Sequence, residues 1–292
     1  MAASNRAFVI VTGAGGHIGH EVCHLLKTTG NDFLGVDVDA GTSSDLIQCD
    51  LRLKNQVASL FQLHPVRAVI HLAGILPSAF HSDPLAGGDV NLGGSFELMR
   101  EAVKARVKRF VFASSMSVYG SAGPPRPLCE EDPAIPDEPY GASKRVVELV
   151  GETLAKGQAL EFVSLRIARV VGPGIKKTSS PWRSQIFERA SRPNSIQIPF
   201  APGVVLSLVH AEDVARMLVT MVEKLEMRSS IYNTPVETWD VRHLKEVIEE
   251  VRGIRVQLGD GAQGGPLCDG RRFTEEFGFQ APGLRERLAG CA

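Results

Sequence analysis

Tyr140 and Lys144 stand four residues apart in the run Glu138-Pro139-Tyr140-Gly141-Ala142-Ser143-Lys144. On a helix that spacing stacks a phenol beside an ammonium group. A phenol with an ordinary pKa near ~10 is a poor base at neutral pH, but a neighbouring cation favours the phenolate and draws the value toward the working range. The pair therefore reads as a proton-transfer device. The same spacing describes any solvated Tyr/Lys pair, so its meaning depends on the elements that hold it.

Those elements alternate. Ala7 to Val11 is a short β-rich run that stops at Thr12-Gly13, and a helical pattern carrying Ile18, Val22, Leu25 and Leu26 follows before Gly30. Strands are expected over Phe33 to Val38, Leu46 to Cys49, Ala68 to Leu72, Arg109 to Ala113 and Glu161 to Val171, apolar as strands buried on both faces are. Helices are expected around Val57 to Leu63, from about Leu92 to Ala105, and from Tyr140 to about Ala155. This alternation predicts an α/β, Rossmann-type doubly wound parallel sheet.

After Gly172-Pro173-Gly174 the pattern loosens. A helix (Arg183 to Ala190), a strand (Ile196 to Ile198), a Pro/Gly turn (Pro199 to Gly203) and a strand-like Leu206 to Val209 come first. A helix from Ala211 to about Leu225, a strand at Ile231 to Asn233, a helix over Val241 to Val251 and a last strand at Ile254 to Leu258 lead into a glycine-rich tail, Gly259 to Gly270.

The turn Thr12-Gly13-Ala14-Gly15-Gly16-His17-Ile18-Gly19 lies between the first strand and the first helix. It follows Gly-x-x-Gly-x-x-Gly through Gly13, Gly16 and Gly19, a pattern that allows a tight turn, close backbone approach to a pyrophosphate and anion binding at a helix N-terminus. Asp37 ends the second strand 18 residues past Gly19, where a carboxylate can accept both hydroxyls of an adenine ribose and repel a 2′-phosphate. NAD is therefore the expected cofactor. Asp39 is the rival acid. Asp50-Leu51, after the third strand, is placed for the adenine edge, or Asp50 is a turn cap. The expected division is an NAD-binding domain at residues 1–172 with a return segment at about 204–236, and a smaller substrate-binding region at 173–203 and 237–292.

Bulk properties exclude other classes. The 292 residues are 43% hydrophobic with a net charge of -1, and the basic residues are dispersed, so neither nucleic acid nor an anionic membrane is an expected partner. No apolar run approaches a membrane span and the start lacks a signal-type stretch. Five scattered cysteines form no Cys-x-x-Cys pair, which fits a reducing, cytoplasmic compartment. His17, His20 and His24 recur at helical spacing without a carboxylate set, so no metal is expected. His210 with Asp213 reads as a hydrogen-bonded turn before a helix.

Taken together, Thr12-Gly13-x-x-Gly16-x-x-Gly19, Asp37, Asp50-Leu51, His71-Leu72-Ala73-Gly74, Asn91, Ser114-Ser115 and Tyr140-x-x-x-Lys144 resemble the extended short-chain dehydrogenase/reductases, the NAD-dependent epimerase/dehydratase family. The order and spacing match from about residue 7 to 173, and more loosely to about 240. The resemblance implies Tyr140 as the acid/base, Lys144 as the residue that lowers its pKa and holds the nicotinamide ribose, and Ser115 as the hydroxyl on the substrate oxygen, with Ser117 its neighbour on the substrate. It also implies cofactor contacts at Gly13, Gly16, His17, Ile18, Gly19, Asp37, Asp50, Leu51, Leu72, Ala73, Gly74 and Asn91. Ser78, His81, Arg183 and Arg192 lie in segments that line the substrate side in that family, and relatives commonly dimerise through the helices over Leu92 to Ala105 and Tyr140 to Ala155.

The departures narrow the chemistry. Where the family's dehydratases carry Asp-Glu after the hydroxyl, this chain has Met116 and Ser117, which disfavours elimination. The epimerases' phosphate-touching Asn at the end of the sixth strand is Arg169, and their Arg-Asp before the aromatic-Val-His step is Leu206-Ser207. Arg169 can grip a phosphate or carboxylate through its planar fork, or form a strand-end ion pair. The expectation is an NAD-dependent oxidoreductase working by hydride transfer at a secondary hydroxyl of a sugar or sugar-like substrate, an anionic one being open to it through Arg169. The alternatives are a nucleotide-sugar 4-epimerase with tightly held NAD, a hydroxy- or amino-acid dehydrogenase, and a non-catalytic NAD-sensing scaffold.

Overall fold

Val9, Ile10 and Val11 are consecutive and each is fully buried, which requires cover on both faces of the strand that carries them. The computed structural model, which describes residues 7–41, 45–121, 123–124, 126–157, 160–174, 180–188 and 195–291, supplies that cover. Its strands are β1 (Phe8–Thr12), β2 (Phe33–Asp37), β3 (Leu46–Gln48), β4 (Val66–His71), β5 (Arg109–Ser115), β6 (Glu161–Ile167), β7 (Arg169–Val171), β8 (Ser195–Phe200), β9 (Val205–His210), β10 (Ile231–Asn233), β11 (Glu237–Asp240) and β12 (Arg255–Gly261). Its α-helices are α1 (His17–Thr28), α2 (Lys54–Gln62), α3 (Pro77–Ser82), α4 (Pro84–Gly88), α5 (Ser95–Lys104), α6 (Pro139–Gly157), α7 (Trp182–Gln185), α8 (Ala211–Glu223), α9 (Val241–Arg252), α10 (Arg271–Phe277) and α11 (Leu284–Gly290).

Seven parallel strands form the main sheet in the order β10-β6-β5-β4-β1-β2-β3, a Rossmann-like α/β arrangement as expected. One face is packed by α1 and α8 through Val22, Leu26, Val214 and Leu218, and the other by α2, α5 and α6 through Leu60, Leu98, Met99 and Val147. A further core joins Trp182, Ile186, Ile198, Leu206, Leu208, Trp239, Leu244 and Ile248 around two small sheets, β11-β9-β7 and β12-β8.

The run Glu161 to Val171 is not one strand. β6 stops at Ile167, Ala168 donates its amide to Thr234 Oγ1 (3.1 Å), and β7 then pairs with β9 outside the main sheet. The two segments are equally apolar, so the switch rests on partners and is not written in the local pattern. β8 likewise runs through Pro199 and Phe200, expected as a turn, and pairs in parallel with β12. The helix expected over Arg183 to Ala190 occupies only Trp182–Gln185 among the described residues. The short helices α3, α4, α10 and α11 have too few turns to establish a clear period. No helix among the described residues is long and apolar enough to cross a membrane.

Candidate active site

β5 delivers Ser115 at its C-terminal end. The Ser115 hydroxyl accepts the Ser117 amide (3.1 Å), lies 3.2 Å from Ser117 Oγ, and opens a single 3₁₀ turn over Met116–Tyr119. Tyr140 occupies the first turn of α6 just after Pro139, where a proline ring is tolerated because no amide partner is lost. Glu138 Oε1 accepts the Gly141 amide there (2.8 Å). The Tyr140 ring is only 8% exposed and meets Phe80 edge-on, and Ser115 is near enough to draw the phenol's pKa down against its burial. One turn later Lys144 donates to the Ala113 carbonyl (2.8 Å), with Nζ 4.7 Å from the Phe112 ring centre and 5.7 Å from that of Tyr140.

The electrostatics correct one expectation. Burial pushes the Tyr140 phenol up to about 12, against the opposing hydrogen bond from Ser115, and burial brings Lys144 down to about 8, against the pull of Glu148. In the protein alone, desolvation outweighs any help from the lysine, whose ammonium is spent on a carbonyl and an aromatic face. Behind Lys144, one further turn along α6, Glu148 is fully buried. It accepts Ser114 Oγ (2.6 Å), Arg166 Nε (2.9 Å) and Nη2 (2.8 Å), and Arg145 Nη1 (2.9 Å), while Arg166 Nη1 donates to Tyr119 Oη (2.7 Å). Sequence reasoning missed this group, although the Tyr140, Lys144, Glu148 spacing places all three on one helix face.

A second hydrogen-bond chain ties the glycine turn to this wall. Ala73 N–H donates to Thr12 Oγ1 (3.2 Å), and Thr12 Oγ1 lies 2.7 Å from His71 Nδ1. On the far side of the ring, His71 Nε2 lies 2.8 Å from Ser95 Oγ, which donates to the Asn91 carbonyl (2.6 Å). Ser95 gives its proton to that carbonyl, so the imidazole is read as protonated at Nε2 and accepting at Nδ1. Burial, with the Lys144 charge, holds His71 down to about 3, so the ring is neutral. The Asn91 amide clamps Ile75 from both sides (Ile75 N to Oδ1 2.7 Å, Nδ2 to Ile75 O 3.1 Å) within a π-helical turn, Asp89–Gly94. At Gly74 the chain passes close to both groups, since a Cβ there would lie 3.1 Å from Asn91 Oδ1 and 3.7 Å from Lys144 Nζ.

The glycine turn has the shape a dinucleotide requires. Gly13 has φ +70° and a Cβ on it would sit 2.8 Å from Ala73 N, while any side chain at Gly19 would collide with the Gly13 carbonyl. α1 starts at His17 with Gly16 as its cap and no capping side chain, which leaves its first amides available to an anion. Ile18 packs against the core. Asp37 faces this turn, accepting the Gly15 amide at Oδ2 (3.0 Å) and the Asp39 amide at Oδ1 (3.2 Å). Asp39 instead caps a turn at Gly41. Asp50 is held by a two-pronged bond from Arg52, Leu51 is buried, and the Leu72 amide bonds the Thr12 carbonyl.

The substrate-side residues are less closely gathered. Ser78 and His81 lie exposed on α3, and Arg192 is outside the described residues. Arg169 starts β7, with its guanidinium carbon 4.9 Å from the Phe200 ring centre and Nη2 on the Gly264 carbonyl (3.1 Å). Arg183, in α7, is near enough for its charge to depress both Arg169 and His17. His210 caps α8 by accepting the Glu212 amide, but its expected partner Asp213 pairs with Arg216 and Arg287. Leu206 is fully buried in the smaller core, and Ser207 Oγ accepts the Cys268 amide (3.0 Å).

A profile of the NAD dependent epimerase/dehydratase family matches residues 9–234. The UDP-glucose 4-epimerase of Azospirillum brasilense is 32% identical over 180 residues, 59% of this chain and 51% of that protein. The chain spans about half the length of several such curated relatives. Among solved structures, the UDP-glucose 4-epimerase of Thermus thermophilus in complex with NAD superposes with a TM-score of 0.83 at 25% identity, over 97% of this chain and 96% of that one. MoeE5 in complex with UDP-glucuronic acid and NAD does so with a TM-score of 0.82 at 28% identity, over 97% of each chain. With that match across the glycine turn, the Ser115 strand and the Tyr140 helix, this chain belongs to the NAD-dependent epimerase/dehydratase family of extended short-chain dehydrogenase/reductases, whose cofactor is NAD.

Proposed function

We propose that this protein oxidises and reduces a secondary hydroxyl of a sugar or sugar-like substrate by hydride transfer, with Tyr140 as the acid/base. The observation that carries this reading is the buried Tyr140 phenol, with Ser115 lowering its pKa and the Lys144 ammonium 5.7 Å from its ring centre. Gly13, Gly16 and Gly19, the first amides of α1, and Asp37 would hold the cofactor, and NAD when bound supplies the hydride acceptor. As the carbinol C–H leaves with its electron pair, Tyr140 takes the hydroxyl proton and the C=O bond forms. Ser115 donates to the same oxygen, and in the loaded site the Lys144 ammonium, 5.7 Å from the Tyr140 ring centre, would offset the desolvation that holds the phenol up near 12 in the protein alone. Met116 and Ser117 offer no second acid or base beside Ser115, which supports oxidation over elimination.

A second reading, nucleotide-sugar 4-epimerisation with the hydride returned to the same carbon, draws support from the named relatives. The test is a panel of sugars, sugar acids and UDP-sugars followed at 340 nm with NAD. Accumulating NADH identifies a net dehydrogenase, and interconversion of C4 epimers without NADH identifies the epimerase. Inactivity throughout, with NAD bound, would sink both. We further propose a cytoplasmic homodimer joined through α5 and α6, a reading supported by the exposed Val146 and Leu149 on α6 and by five free cysteines.

A further inference from the structure

We propose that Arg169, seated over Phe200 beside Arg183, is an oxyanion subsite that takes a single carboxylate or phosphate monoester on the substrate in place of a nucleotide diphosphate handle. The inference rests on the hydride-transfer reading above and names the substrate class of that site.

Three observations converge. The first is position. Ile167 pairs directly with Ser115 across the β5–β6 ladder, and Arg169 follows two residues later, at the start of β7. The second is an unmet charge. Arg109 and Arg166 are buried against Glu161 (2.5 Å) and Glu148 (2.8 Å), but among the described residues no carboxylate pairs with Arg169. Its Nε is buried without a hydrogen-bond partner among those residues, its Nη2 meets the Gly264 carbonyl, and the charge acting on it is the like charge of Arg183. Burial and that repulsion bring Arg169 down to about 10. A cation in this setting gains most from an anion, and the planar fork of Arg169 suits an oxyanion.

The third observation concerns the handle. The positions where the family's epimerases carry Arg-Asp are Leu206, fully buried in the smaller core, and Ser207, whose hydroxyl is occupied by the Cys268 amide. A diphosphate would find no second anchor on β9, whereas a single oxyanion needs none.

The test separates binding from turnover. The NAD-saturated full chain is titrated calorimetrically with inorganic phosphate and with acetate at constant ionic strength, as wild type, Arg169→Gln and Arg169→Lys. Saturable binding of at least one anion is expected, weakened about 10- to 150-fold in Arg169→Gln and less in Arg169→Lys, which keeps the charge without the fork. In kinetics, the ratio of kcat/KM for D-glucuronate or D-glucose 6-phosphate to that for D-glucose should fall by the same factor in Arg169→Gln. The anion preferred tells carboxylate from phosphate. Should Arg169→Gln fail to fold by circular dichroism, wild type and Arg169→Lys still decide the binding arm. Anion binding that depends on Arg169 in a protein inactive on the whole panel of sugars, sugar acids and UDP-sugars leaves the subsite standing and removes the hydride-transfer reading instead. Absence of anion binding overturns the subsite. So does a preference for UDP-glucose that ignores Arg169, or an Arg169→Gln effect confined to NAD affinity.

Discussion

Arg166 and Arg169 lie three residues apart on one stretch of chain and experience opposite surroundings. Arg166, on β6, is enclosed by Glu148 and the Tyr119 hydroxyl, and through Glu148 it is joined to Ser114 and the Tyr140–Lys144 helix. Arg169, across the break at Ala168, has a carbonyl, a ring face and a second cation for company. The wall behind Tyr140 and Lys144 is satisfied internally, as a scaffold that holds groups in register should be. The stretch around Arg169 keeps an unmet charge, which is what the proposed oxyanion subsite requires.

The largest expected effect breaks the wall's chemistry and not its architecture. Tyr140→Phe should lower kcat by about 10²–10⁴-fold while leaving the Kd for NAD nearly unchanged, because the phenol supplies proton transfer and not cofactor affinity. Retention of more than about a tenth of the activity would show that the base lies elsewhere. Next, the two arginines should part company in denaturant unfolding. Arg166→Leu leaves Glu148 buried without its main partner and should cost about 3–5 kcal/mol, whereas Arg169→Leu removes an uncompensated charge and should cost less than about 1 kcal/mol or stabilise. Equal losses would erase the contrast.

A smaller effect tests the cofactor end. NAD should bind more tightly than NADP by at least about 1.4 kcal/mol, a tenfold ratio, and Asp37→Ala should narrow the gap chiefly by weakening NAD. Calorimetry giving equal affinities in the wild type would contradict the role of Asp37. The gentlest probe is pH. His71 is held neutral, with its value lowered from 6.5 to about 3, so the unfolded chain binds its proton first. Its contribution to stability is complete above 6.5 and is lost as pH falls from 6.5 toward 3, with a slope of at most about 1.4 kcal/mol per pH unit. His71→Asn should flatten that part of the stability profile, and an unchanged profile would mean the ring is charged in the fold.

Much of this was legible from residue types. Continuous apolar runs broken by glycine predicted the parallel sheet, and Gly13, Gly19 and Asp37 predicted a turn whose steric limits and carboxylate now face each other. Those features are local: a φ of +70°, a strand buried on both faces and an i, i+4 pair are each encoded within a few residues. The sequence by itself thus determined the family and the sheet, and named the residues proposed to move a proton. What it could not carry were quantities summed over distant partners. The phenol lies up near 12 because the fold buries it, and Lys144 does not counter this because Ala113 and Phe112 hold its ammonium. Among the described residues Arg169 meets no acid, since the chain changes sheets at Ala168, and Leu206 is sealed into a core built from β9, β11 and α9. Desolvation and charge pairing depend on what arrives from dozens of residues away, so only the tertiary structure decided that Arg166 meets a carboxylate and Arg169 a carbonyl.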